Sequence, residues 1–275
     1  MPPTRIPTAQ DFASLSDVLT VSLVFPDPPE STTAIMLLFH GLGDSEAPFA
    51  SFARNLRLPG VLAIAVRGTS PLAPGLLGFD DLSDGRGPRN FHWGDDLAMA
   101  PGAGGELDPD PGFEKAERLI FDRLLGEVLS EGCGWDLEDV LLFGFGQGGS
   151  LALGLASKAR VGKRVEEVTT DGDNDHPTTR PQRGRAFKGV VSIGGPLPHS
   201  MVPSVTGVRE KVRTPVLVCC GSGSGSAVDE DAVELIREEF ESVRVVRWKK
   251  PDDGMPKNRE EALPLMEYFA ERLRA

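Results

Sequence analysis

Leu141-Leu142-Phe143-Gly144-Phe145-Gly146-Gln147-Gly148-Gly149-Ser150-Leu151-Ala152-Leu153 runs from one apolar stretch, through closely spaced glycines, into another. The first part is continuous rather than alternating, as a strand buried on both faces should be. The second reads as a helix over residues 151–159. The glycines between them fit a sharp turn that lifts one side chain above a sheet. Strand, tight turn and helix in that order point to an α/β architecture.

Outward from this stretch the same alternation recurs. Short apolar runs rich in β-branched residues occupy 18–25, 34–39, 61–66, 140–143, 189–193, 216–220 and 243–248. Helical patterns lie between them. Residues 113–129 place Ala116, Leu119, Ile120, Leu124 and Val128 on one stripe, and Asp110-Pro111 offers a start. Residues 231–240 and 259–273 read as further helices. A mainly parallel sheet with helices on both faces is expected, the first run adding an antiparallel strand. Two stretches interrupt the order. Residues 67–110 are rich in Gly, Pro and Asp without clear periodicity, and long loops of that kind in compact domains are usually functional or disordered. Residues 163–185 hold almost no large apolar side chain and are expected to be a disordered insertion. No repeat or domain boundary is visible, so residues 1–275 are read as one domain.

Composition narrows the function. The 275 residues carry a formal charge of −12, and an acidic surface repels phosphate backbones and anionic membranes. Nucleic acid is therefore not an expected partner. No window offers the roughly 18 consecutive apolar residues of a membrane span. The start, Met1-Pro2-Pro3-Thr4-Arg5-Ile6-Pro7, lacks the apolar stretch of a signal peptide. Cys133, Cys219 and Cys220 are too few and too unevenly placed for a disulfide framework. The expected compartment is the cytoplasm, or else the nucleus. The acidic run Asp171-Gly172-Asp173-Asn174-Asp175 lacks the ligand spacing and terminal Glu of an EF-hand loop, so no metal and no cofactor are expected.

A second turn, Leu38-Phe39-His40-Gly41-Leu42-Gly43-Asp44, ends a strand and can present backbone N–H groups to an oxyanion. With these two motifs in place the chain resembles the acyl-protein thioesterase and carboxylesterase family of α/β-hydrolases. That family has Gly-Phe-Ser-Gln-Gly-Gly at its nucleophile elbow and His-Gly-Leu-Gly-Asp at its oxyanion loop. Asn90-Phe91-His92-Trp93-Gly94-Asp95 and Gly194-Gly195-Pro196-Leu197-Pro198 extend the likeness over most of the chain outside 163–185. The resemblance implies an α/β-hydrolase fold and an oxyanion hole formed by the amides of Leu42 and Gln147. It gives His40 a loop-shaping role and places Trp93 beside the site, as a pocket wall or as an anchor for its loop.

The chain departs from that family where the chemistry is done. The resemblance puts Gly146 at the nucleophile position, Ser224 at the acid and Pro256 at the histidine. Glycine offers no nucleophile and proline neither base nor acid. Ser150 lies about one turn into the helix, away from the elbow tip. The four histidines, His40, His92, His176 and His199, all precede the last quarter of the chain. The reading that follows is a pseudo-esterase, binding an acyl-like small molecule or a protein partner without turnover. An atypical hydrolase with displaced groups is the alternative. Gly144-x-Gly146-x-x-Gly149 also fits a dinucleotide-binding pattern, but the next strand ends in Gly194-Gly195 where that pattern wants an acidic residue.

Overall fold

The computed structural model describes residues 4–73, 89–97, 107–159, 186–203 and 210–274. Most of the 67–110 loop and the whole of 163–185 lie outside the described residues. The main sheet takes in β1 (Val21–Val24), β2 (Ala34–Phe39), β3 (Val61–Val66), β6 (Val140–Phe145), β7 (Gly189–Ile193), β8 (Val216–Cys220) and β9 (Val243–Arg247). Its order is β1-β3-β2-β6-β7-β8-β9. β1 runs antiparallel to β3, and every other neighbouring pair is parallel. A small ribbon pairs β4 (Ser70–Pro71) with β5 (Phe91–His92). Among the described residues no helix is long and apolar enough to cross a membrane.

The central strands are buried along their whole length because helices cover both faces. Alternate residues of β2 therefore enter two separate cores. Ile35, Leu37 and Phe39 join the layer packed under α2 (Glu114–Arg118) with its continuation Leu119–Gly132, α3 (Gln147–Ala159) and α4 (Glu230–Glu239). Ala34, Met36 and Leu38 join the layer under α1 (Glu46–Leu56) and α5 (Arg259–Arg274).

Several expectations shift. The first run contributes only Val21–Val24 as a strand, and it supplies the expected antiparallel edge. α1 was not anticipated, although its buried Glu46, Phe49, Ala50 and Ala53 fall at helical spacing. α3 begins at Gln147 rather than 151, since the Gly146 carbonyl already accepts from Gly149 N at 2.8 Å and Ser150 N at 3.1 Å. The helix expected over 113–129 starts at Glu114 and runs to Gly132, winding in π turns from Leu119. Asp95, nineteen residues upstream of Glu114, caps it: its carboxylate accepts from Glu114 N at 2.6 Å and Lys115 N at 2.9 Å. No local signal announces a cap supplied from so far away.

Candidate functional site

The parallel register brings three loops to one edge. Phe39 pairs with Gly144 and Phe145 with Ile193, so the turns after β2, β6 and β7 leave the sheet side by side. Gly146 sits at the tip of the β6–α3 turn with φ +51, in the left-handed region, and its N–H donates to Ile193 O at 2.8 Å. A Cβ at Gly146 would meet nothing closer than Gly41 Cα at 3.9 Å. The tip is open. A Cβ at Gly144, by contrast, would stand 2.1 Å from Gly148 O, and one at Gly148 would stand 2.3 Å from Phe39 O. Those two glycines let α3 start directly against the strand ends, while Gly146 alone has room for a side chain.

The turn after β2 is built around His40, which is wholly buried. Its Nε2 accepts from Gly68 N–H at 2.7 Å, so the proton lies on Nδ1, which donates to Gly41 O at 2.7 Å. Burial, opposed by the Gly41 hydrogen bond, pushes its pKa below the ordinary histidine value. Both ring nitrogens are thus spent on shaping the loop. Gly43 N donates to Phe91 O at 2.9 Å and Phe91 N to Asp44 O at 3.0 Å, tying this loop to β5. No described residue accepts from the amides of Leu42 or Gln147, the two donors expected to face an oxyanion.

Gln147 carries a second task that its place in the motif did not suggest. Its side-chain carbonyl accepts from Trp93 N at 2.8 Å. The Trp93 indole is wholly buried, donates to His40 O at 2.7 Å and meets Phe39 edge-on at 5.4 Å. Wholly buried and held at both its amide and its indole, Trp93 is placed to anchor its loop. Arg67, at the end of β3, grips the buried Glu46 through two hydrogen bonds of 2.7 and 2.6 Å and lies 4.8 Å over the Phe91 ring. That pair locks the start of α1 to the same edge.

The remaining histidines do not converge on the elbow by any described hydrogen bond. His92 is buried in β5, and burial lowers its pKa. His199 is exposed at the surface beyond β7. His176 lies outside the described residues. Ser150 is buried within α3. Ser224 is exposed on the β8–α4 loop and Pro256 is half-buried on the β9–α5 loop.

Between these two loops stands a residue the sequence reading passed over, Asp253. Its Oδ1 accepts from Gly221 N at 2.8 Å and Ser226 Oγ at 2.9 Å, and its Oδ2 from Ala227 N at 2.8 Å. The Gly-Ser repeat of 221–226 therefore wraps a carboxylate supplied by the chain itself. Asp253 also packs on Gly194, where a Cβ would stand 2.4 Å from the Asp253 Cβ. Lys250 braces the same loop, donating to Gly254 O at 2.7 Å while stacked 4.0 Å from the Trp248 ring centre. The glycine–serine alternation opposite an Asp was the available signal, but nothing local paired residues 221–227 with 253.

Residues 23–164 match the Phospholipase/Carboxylesterase family. The chain belongs to that family. The matched segment includes the oxyanion loop and the elbow. An uncharacterized hydrolase of Schizosaccharomyces pombe is 32 % identical over 167 residues, which cover 61 % of this chain and 55 % of the relative. The match thus spans about half the length of that curated relative. Among solved structures, Zea mays acyl-protein thioesterase 2 superposes with a TM-score of 0.61 at 18 % identity, over 92 % of this chain and 99 % of that one. Esterase PE8 gives 0.61 at 16 % identity, over 92 % and 98 %. At such identities the likeness is one of fold. It agrees with the α/β-hydrolase architecture expected from the sequence.

Proposed function

We propose that this family member is a pseudo-esterase, which binds an acyl-like ligand or a protein partner at the preserved elbow without turning it over. The observation that carries this reading is Gly146. It occupies the tip of the elbow in the left-handed region, at φ +51 with open space before it, and it has no side chain to attack a carbonyl. The histidines add support. A serine-type hydrolase needs an imidazole in hydrogen-bond reach of its nucleophile, yet His40 spends Nδ1 on Gly41 and Nε2 on Gly68 of the loop after β3, and His199 is exposed. The amides of Leu42 and Gln147 would hold a carbonyl or carboxylate oxygen, and the start of α3 favours negative charge there.

An atypical hydrolase would need a displaced base. Asp253 is the acid that packs against the loop beside the elbow, but its oxygens already accept from Gly221, Ser226 and Ala227. Two glycines of the nucleotide-like pattern have another use, since a Cβ at Gly144 would stand 2.1 Å from Gly148 O and one at Gly149 2.5 Å from Ser192 Oγ within the fold.

The test is hydrolysis of p-nitrophenyl esters and acyl thioesters by the purified protein, beside calorimetric titration with medium-chain fatty acids. Turnover should stay at the residual level that binding and an oxyanion hole alone provide, about 10³–10⁴-fold over water in a triad-less serine protease. Gly146→Ser should not raise it. Efficient turnover that disappears on substitution of Gln147 or Asp253 would overturn the reading.

A further inference from the structure

The two buried histidines, His40 and His92, meet at one glycine. Gly68, two residues past the end of β3, donates its N–H to His40 Nε2 at 2.7 Å. It also lies so close to β5 that a Cβ there would stand 2.6 Å from His92 O. His40 is tied to the same ribbon by its backbone, because its carbonyl accepts from the Trp93 indole at 2.7 Å, and the two rings lie 5.1 Å apart. The exit of β3, the turn after β2 and the start of the Trp93 loop are thus joined through one imidazole.

That joint holds in one protonation state only. An amide nitrogen can only donate, so His40 Nε2 must keep its lone pair free for the contact to exist. A proton on Nε2 would set two N–H groups against each other at 2.7 Å and leave the buried Gly68 amide without an acceptor. The bond from Nδ1 to Gly41 O survives protonation, so one link of the turn is lost and the other kept. His92 differs, since its Nδ1 is buried without a partner and has no bond to lose. The charges facing His40 among the described residues come from three places. Asp44 in its own turn and Glu46 in α1 favour the imidazolium, while Arg67 after β3 opposes it. Glu46 is already gripped by Arg67, and burial prevails, so the ring is neutral at neutral pH. Lys115 of α2 faces His92 and disfavours its protonation.

We infer that His40 is an acid-sensitive latch: one proton taken from solvent at Nε2 releases Gly68 and opens the β3 exit and the Trp93 loop locally, while the sheet stays folded. The sheet itself is held by apolar side chains on both faces, which no proton in this range alters. The turn after β2 also carries the Leu42 amide, so opening loosens that side of the elbow. The inference does not depend on what binds there.

The test is hydrogen exchange of the 15N-labelled full chain, followed by NMR from pH 7 downward and corrected for intrinsic exchange rates. From about pH 6.5 down to the lowered native value, protection of the Gly68 amide should fall tenfold per pH unit, the slope of one proton. The amides of Leu37 and Leu142 in the central strands should stay protected, with an unchanged far-UV spectrum. His40→Gln, whose side-chain carbonyl can accept from Gly68 without titrating, should abolish the slope, and His92→Gln should leave it. A slope that persists in His40→Gln overturns the inference, as does one that Leu37 and Leu142 share because the whole chain unfolds. If His40→Gln does not fold, the imidazole 15N shifts of the parent decide. Nε2 must become protonated at the pH where Gly68 loses its protection altogether, and a fully exposed Gly68 beside an unprotonated Nε2 overturns the latch equally.

Discussion

Gly144, near the end of β6, and Gly146, in the turn after it, lie two residues apart, and the structure separates their costs sharply. Serine at 146 meets no atom nearer than 3.9 Å from its Cβ, so its cost is the left-handed backbone alone, about 1–2 kcal/mol. Alanine at 144 puts a Cβ 2.1 Å from Gly148 O and 2.5 Å from Gly149 N, both backbone atoms of α3. An ordinary carbon–oxygen contact is about 3.3 Å or more, so the helix start would have to retreat by roughly 1 Å. Overpacking usually costs about 1–3 kcal/mol, and here no flexible side chain can give way, which puts Gly144→Ala at or above the top of that range. At about 2–4 °C per kcal/mol for a large domain, Gly146→Ser should lower Tm by about 2–8 °C. Gly144→Ala should lower it by at least about 6–12 °C or yield no folded protein. Circular-dichroism melts of the two variants beside the parent make the measurement, with urea titrations to check that m is unchanged. Equal losses for the two variants, or a silent Gly144→Ala, would refute the elbow geometry and with it the assignment of Gly146 to the tip.

Other expectations follow from the same edge of the sheet. Asp253→Ala removes a carboxylate that accepts three hydrogen bonds and bridges the β8–α4 and β9–α5 loops; about 2–3 kcal/mol should be lost in urea unfolding, and added formate or acetate should recover part of it by refilling the cup. A variant as stable as the parent would show that the bridge is dispensable. His40 and His92 both titrate below the ordinary histidine value because burial disfavours the imidazolium. The unfolded chain therefore binds protons that the native state refuses, so their contribution to stability is complete above about pH 6.5 and is lost as pH falls from there toward the lowered native values. Proton NMR should find no His40 titration near pH 6.5 in the folded protein, and a normal midpoint there would sink the buried-neutral assignment. Glu46→Gln leaves the Arg67 guanidinium half-paired beneath its exposed side and should cost about 1–3 kcal/mol, read as a lower urea midpoint.

The sequence alone determined the sheet and its elbow. Continuous apolar runs of five or six residues, rich in β-branched side chains and alternating with helical patterns, pointed to strands covered on both faces, and the glycines around the end of β6 pointed to a sharp turn. That Gly146, Ser224 and Pro256 carry no nucleophile, acid and base respectively at the positions the family resemblance assigns was read from the sequence too, and stays a proposal. What tertiary structure decided was the pairing of distant groups. Asp253 fills the cup of 221–227, Asp95 caps a helix that begins at Glu114, and Gln147 holds Trp93, each across a gap that no periodicity spans. The fate of Trp93 was undecidable from its neighbours for the same reason, since whether an indole lines a pocket or anchors a loop depends on what stands across from it. Hydrophobic patterning reports which face of an element is buried, and it is blind to which polar group from elsewhere in the chain will satisfy an exposed N–H or carboxylate once the elements have packed.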